Sequence, residues 1–156
     1  MKLYFNQCVL MGGLGFLSVM LPITSWSAKL SAKEAAISHT ADDKDLKWGP
    51  APAFLPQGSE LAVLHGDPSK RNADILLRIP SKGVIPSHWH TSAERMILVS
   101  GEMRVTYEGQ APTLLKAGTY AYGPAKQRHD GVCESSTPCV LFVAFEAPVD
   151  AVPVTK

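Results

Sequence analysis

The chain has 156 residues, with 15 Lys and Arg against 14 Asp and Glu and a formal net charge of +1. A balanced charge without a basic run argues against nucleic acid or an anionic membrane as the main partner. The length suits one domain with a single hydrophobic core.

The first 27 residues have the form of a secretory signal peptide. A positive charge precedes an apolar run at 8–21, which is shorter than the roughly 20 residues that span a bilayer. Small side chains at Ser25 and Ser27 suit cleavage after Ser27. We therefore predict that residues 1–27 are removed and that the mature protein is periplasmic or secreted, without membrane contact. An uncleaved anchor, formed if the apolar segment extends further toward the N-terminus, is the alternative.

The rest of the chain is predicted to contain one all-β domain. Residues 28–47 are polar and charged and form a predicted flexible arm, residues 48–150 form the domain, and residues 151–156 form a C-terminal tail. Turn signals separate short runs such as DILLRI, RMILV and MRVTY, which are rich in strand-forming residues. This pattern predicts an all-β sandwich or barrel.

The segment EMRVTYE shows the period of a half-buried strand. Met103, Val105 and Tyr107 alternate with polar residues and therefore share one predicted face. One side of this strand is expected to meet the core and the other to meet water.

Two cysteines remain after the predicted cleavage, Cys133 and Cys139 in the segment CESSTPC. An even pair in an exported chain predicts a disulfide, and five intervening residues can form the required turn. A catalytic or metal-binding cysteine is the alternative, but the chain contains no C-x-x-C spacing.

The segment HWHTSAE carries the first candidate ligands. Residues two apart in a strand point the same way, so His88 and His90 share a face and Trp89 points to the other. Glu94 opens the next predicted strand, so its carboxylate can join the two imidazoles. Taken alone, however, an H-x-H pair in a secreted chain is more often part of a polar surface or a site of adventitious metal affinity.

A third imidazole is available at His129, which follows a predicted strand at 119–122. If that strand pairs beside the strand of His88 and His90, three imidazoles and one carboxylate surround a single volume. Such a ligand set suits a six-coordinate divalent ion such as iron or manganese, and zinc accepts the same ligands. His39 and His65 lie outside these two segments and are interpreted as structural or exposed.

Two segments together resemble the paired motifs of the cupin superfamily. GVIPSHWHTSAERMILVSG resembles the first motif, with H-x-H followed by Glu and then Gly. GTYAYGPAKQRH resembles the second, with Gly118, Pro124 and His129 in place and Lys126 where the motif has glycine.

The resemblance covers roughly residues 48–149 and looks most like small exported single-domain cupins. It implies a double-stranded β-helix, that is, a jelly-roll barrel. It also implies one bound divalent metal, of which iron, manganese, zinc and nickel are candidates, held by His88, His90, Glu94 and His129.

Two classes of function are consistent with such a site. In the first, the metal holds a small oxygen-bearing ligand for dioxygenase-type or related oxidoreductase chemistry, and Glu94 is a ligand or a general base. Tyr120 and Tyr122 are then candidate substrate donors, with barrel packing as their alternative role. In the second class, the protein is a non-catalytic periplasmic binder or sensor of a metal or small ligand. Ile97 and Val99, on the face opposite Glu94, are candidates for a homodimer contact.

Overall fold

The computed structural model describes residues 34–154. The predicted signal peptide, residues 1–27, lies outside the described residues, as do the start of the predicted arm and the last two residues of the tail. The chain divides into two compact units, residues 1–36 and Ile37–Lys156, and the strands of the described range belong to the second. No helix in the described range has the length and apolar character needed to cross a membrane.

The strands form two antiparallel sheets. The first sheet contains β1 (Trp48–Pro50), β2 (Glu60–His65), β3 (Ala73–Ile79), β5 (Glu94–Ser100), β8 (Tyr120–Gly123) and β10 (Cys139–Phe145). The second contains β4 (Val84–Trp89), β6 (Glu102–Tyr107), β7 (Thr113–Lys116), β9 (His129–Cys133) and β11 (Val152–Pro153).

The order of the strands is that of a jelly roll. The first sheet runs β1-β2-β3-β10-β5-β8 and the second runs β11-β4-β9-β6-β7. From β3 to β6 and again from β7 to β10, every connection carries the chain from one sheet to the other, and the paired strands are antiparallel. The prediction of an all-β double-stranded β-helix is confirmed.

The core lies between the sheets and follows the alternation of side chains along each strand. In β5, Met96 and Leu98 are buried, whereas Ile97 and Val99 are 41% and 40% exposed on the outer face. In β6, the buried side chain of Met103 lies on the face predicted from the sequence. The homodimer proposed for the outer face of β5 stays a prediction.

Parts of the predicted arm and tail contact the sheets. Leu46 is buried in a small cluster with Ala62, Leu76 and Val140 on the first sheet. In the tail, β11 pairs with β4. Packed segments therefore flank the strands at 48–145 on both sides within the described range.

A disulfide joins Cys133, the last residue of β9, to Cys139, the first residue of β10. Since β9 and β10 belong to different sheets, the bond ties the sheets together at one connection. The predicted disulfide is thus present in the structure.

Candidate metal centre

Strand pairing brings the predicted ligands to one end of the barrel. His88 in β4 lies directly opposite His129 in β9 within the second sheet. Glu94 begins β5 in the facing sheet, where it lies opposite Gly123 of β8. The condition stated for the sequence, that the strand at 119–122 pairs beside the H-x-H strand, is not met: β8 pairs with β5, and His129 reaches the site as the first residue of β9.

A β-bulge in β4 turns His88 inward. The register of β4 against β9 shifts between Ile85 and His88. These two residues are an odd number of positions apart, so a regular strand would place them on opposite faces, yet both are buried. The extra residue lies around Pro86, which has no ladder donor and is tolerated at bulges.

The three imidazoles and the carboxylate are in close contact. The ring centroids of His88 and His129 are 4.2 Å apart, and His90 lies 4.9 Å from His88 and 5.2 Å from His129. One candidate ligand atom from each histidine lies within 4.8 Å of the others. Two ligands on opposite sides of one ion, each about 2.1 Å from it, are about 4.2 Å apart. Adjacent ligands of one ion are closer, at about 3.0–3.4 Å, so the three imidazoles must move toward one another to bind it.

Backbone carbonyls fix the tautomer of each imidazole. The Nδ1 atom of His88 lies 2.8 Å from the Pro86 carbonyl oxygen, and that of His129 lies 3.1 Å from the Gln127 carbonyl oxygen. The Nδ1 atom of His90 contacts the carbonyl oxygen of Asp150. Because a carbonyl oxygen only accepts, each Nδ1 must carry the proton and donate.

This tautomer leaves the Nε2 lone pairs directed at one another and at Glu94. The Nε2 atom of His90 is 3.3 Å from Glu94 Oε2, and the Nε2 atom of His129 is 3.2 Å from Glu94 Oε1. These atoms are all acceptors when Glu94 is ionised. A buried cluster of acceptors is unfavourable unless a cation or proton lies among them.

The protonation equilibria of His88 and His129 favour the neutral imidazole. Burial, opposed in part by the bond to Pro86, lowers the pKa of His88 to about 4. Burial and the neighbouring His88 lower the pKa of His129 to about 3. Burial also raises the pKa of the Glu94 carboxyl, although His90 and Tyr107 oppose the change. Neutral imidazoles are the form that coordinates a metal.

Tyr107 is a site residue whose contact the sequence did not reveal. Its hydroxyl lies 3.2 Å from Glu94 Oε1 and donates to it, and its ring centroid is 4.9 Å from that of His129. Burial and the nearby Glu94 raise the pKa of Tyr107, so the hydroxyl keeps its proton. The inward face of β6 was predicted, but no local signal linked it to Glu94.

Tyr120 and Tyr122 do not face the site. They are 60% and 53% exposed, because the alternation of β8 directs both to the outer face. Neither lines the cavity beside the imidazoles, so the structure does not support their predicted role as substrate donors. Barrel packing, the alternative, does not describe such exposed side chains either.

The remaining histidines lie apart from the cluster. His39 is exposed, and its Nδ1 atom is 3.3 Å from Asp43 Oδ2 in the segment before β1. His65 is exposed at the end of β2. This placement agrees with their interpretation as structural or exposed residues.

Comparisons with known proteins identify the same fold. A family model described as the Cupin domain matches residues 75–145, and no curated protein sequence matches the chain. The DMSP lyase DddQ from Ruegeria pomeroyi DSS-3 is 19% identical, with a TM-score of 0.59 over 70% of this chain and 61% of the lyase. The polyketide cyclase RemF from Streptomyces resistomycificus is 16% identical, with a TM-score of 0.62 over 77% and 87%.

An oxalate decarboxylase from Bacillus subtilis is also similar, with 21% identity and a TM-score of 0.55 over 63% of this chain and 28% of that protein. The chain thus spans less than two thirds of the length of the lyase and under a third of that of the decarboxylase. At these identities the likeness shows the fold alone.

Proposed function

We propose that this chain, of which residues 75–145 match the Cupin domain model, binds one divalent metal ion through His88, His90, His129 and Glu94 and uses it to hold a small oxygen-bearing ligand. The observation that carries this proposal is the acceptor cluster. Three Nε2 lone pairs and a buried carboxylate converge, while every Nδ1 is already bonded to a carbonyl oxygen. A divalent cation satisfies all these groups at once.

The donor set fits a metal of intermediate hardness. Three neutral imidazoles and one carboxylate suit iron, manganese, nickel or zinc. When bound, such an ion supplies Lewis acidity or, if redox-active, electrons for dioxygen chemistry. The carbonyl bonds to Nδ1 hold each ring in orientation, as outer-shell partners of metal-binding histidines commonly do.

Two side chains of the protein, those of Glu94 and Tyr107, can hold or donate a proton near the metal centre. Glu94 is 4% exposed and its pKa is raised, so it can hold a proton at pH values where an exposed carboxyl cannot. The Tyr107 hydroxyl donates to Oε1 and orients the carboxylate. We propose that Glu94, when it is not a ligand, acts as general base toward the bound molecule.

Metal analysis of purified variants tests the binding proposal. His88→Ala and His129→Ala should lower the metal stoichiometry toward zero while the far-ultraviolet circular dichroism stays largely unchanged. Trp89→Ala is the matched control. Trp89 lies between His88 and His90 in the sequence but does not line the cavity. Full metal retention in both histidine variants would contradict the proposed site.

Oxygen consumption distinguishes catalysis from simple binding. The iron-loaded and manganese-loaded proteins should consume oxygen with a member of a panel of small enediols and β-diketones. No turnover with either metal would instead favour a non-catalytic periplasmic protein that binds or senses a metal or small ligand.

We also propose that the protein is exported. The N-terminal pattern at 1–27 and the disulfide between Cys133 and Cys139 support this proposal, since disulfides persist in oxidising compartments. Mass spectrometry of the protein from its host should give a mature chain that begins at Ala28. A full-length chain in the cytoplasmic fraction would contradict export.

A further inference from the structure

The cavity beside the metal centre is small. It encloses about 120 Å³ between the two sheets. Pockets for drug-sized ligands enclose roughly 300–1,000 Å³, whereas an engineered cavity of about 150 Å³ binds benzene. The cavity is partly open to solvent, so this volume limits the part of a ligand that lies between the sheets to about six non-hydrogen atoms.

The walls of the cavity are almost wholly apolar. Away from the imidazoles, both sheets contribute aliphatic and thioether side chains, including those of Leu61, Leu77, Ile85, Met103 and Leu141. These side chains offer no hydrogen bonds to a polar ligand group. A hydroxyl or carboxylate placed there loses its water without compensation.

The charge around the cavity limits the ligand further. No Lys or Arg is among the described residues that line it, and its ionisable residues besides the proposed ligands are Asp130 and Asp150. Asp130 is exposed to solvent and the Asp150 carboxylate accepts hydrogen bonds from Thr91, so at the metal itself a divalent ion with an ionised Glu94 leaves one net positive charge. One anionic head can be neutralised there, but a second has no cationic partner.

We propose that the ligand carries a single metal-binding oxygen head, such as a monocarboxylate or the enolate of a β-diketone, on a compact apolar body of about the size of benzene. This inference rests on the proposed function, since the head requires the metal. It excludes dicarboxylates and sugar acids, whose second polar group would lie against Leu77 and Met103.

Binding to the cobalt-loaded protein tests this inference without an activity assay. Cobalt stoichiometry is measured first, and carboxylates are then titrated against the visible absorption of the bound ion. Each methylene from acetate to butyrate should tighten binding about fourfold, since burying one contributes about 0.8 kcal/mol. Succinate, which has as many carbons as butyrate, should bind about 100-fold more weakly than butyrate.

Two variants locate the binding of the apolar body. Leu77→Ala enlarges the cavity without a clash, so the tightest-binding monocarboxylate should become longer while cobalt stoichiometry and acetate affinity remain. Leu114→Ala is the matched control, because Leu114 is 36% exposed on β7 and does not line the cavity. Its chain-length profile should match that of the unchanged protein.

The outcomes separate this inference from the proposed function. Absence of cobalt binding would overturn both. Stoichiometric cobalt binding with equal affinity for succinate and butyrate, or with no dependence on chain length, would overturn the ligand class and leave the metal centre standing. The same profile for Leu77→Ala and Leu114→Ala would also overturn it.

Discussion

Gly123 leaves the space that Glu94 and Tyr107 occupy. It lies opposite Glu94 in the pairing of β5 with β8. A Cβ atom at this position would lie 2.5 Å from Glu94 Oε1 and 2.5 Å from the Tyr107 hydroxyl oxygen, whereas ordinary contacts begin at 3.4 Å. Because Gly123 does not have a positive φ, alanine can adopt its backbone conformation. The steric conflict is therefore the whole effect of Gly123→Ala.

The distance by which the two oxygens must move determines the expected loss of metal affinity and stability. Both oxygens must move by nearly 1 Å to reach ordinary contact, while metal–ligand distances vary by only about 0.2 Å. Glu94 can then no longer coordinate in the same position. We expect metal affinity to fall about 10- to 100-fold, as it does when supporting groups are removed, and stability to fall by about 1–3 kcal/mol from overpacking.

Competition with a chelator measures the affinity, and thermal unfolding of the metal-free protein measures the stability. Gly49→Ala is the matched control, because its added Cβ would meet its nearest neighbour, the Leu61 carbonyl oxygen, at an unstrained 4.0 Å. Equal metal affinity in Gly123→Ala and Gly49→Ala would refute the reasoning.

Three further predictions concern stability. Lys126 has a φ of 62° at the position where the second cupin motif has glycine. Lys126→Gly should therefore raise the free energy of unfolding, measured in urea titrations, by about 1 kcal/mol. A lower free energy of unfolding would show that the backbone strain is absent. Cys133→Ser should lower the free energy of unfolding by about 2 kcal/mol, since the disulfide closes a loop of sequence separation 6. An unchanged urea midpoint would contradict that value. In the metal-free protein the pKa values of His88 and His129 are lowered from 6.5 and the pKa of Glu94 is raised from 4.5. Below about pH 6.5 the unfolded chain therefore takes up protons at two imidazoles that stay neutral in the folded protein, and the raised pKa of Glu94 opposes this difference only in part. Stability should fall on acidification from pH 7 to pH 5, and a gain over that range would contradict these directions.

Local patterns predicted the parts of the fold that depend on neighbours in sequence. The two-residue period of β6 identified the inward face that carries Met103 and Tyr107. The H-x-H spacing placed His88 and His90 on one face, and both are buried. The cysteine spacing predicted the disulfide. In each case one strand or one turn determines the outcome.

Pairing between strands that are distant in sequence could not be predicted from such local patterns. β4 pairs with β9 and β11, not with β8, because pairing in a jelly roll joins strands that are far apart in sequence. The bulge around Pro86 depends on the register against β9. The contact between Tyr107 and Glu94 and the close approach of Gly123 also exist only once the two sheets face each other.

Anomalous X-ray diffraction from crystals of the metal-loaded protein tests the central claim most directly. The account predicts one strong peak at about 2.0–2.2 Å from the Nε2 atoms of His88, His90 and His129, with the Glu94 carboxylate beside it. A peak at another position, or none at a protein that contains stoichiometric metal, would contradict the claim that these three imidazoles form the metal centre.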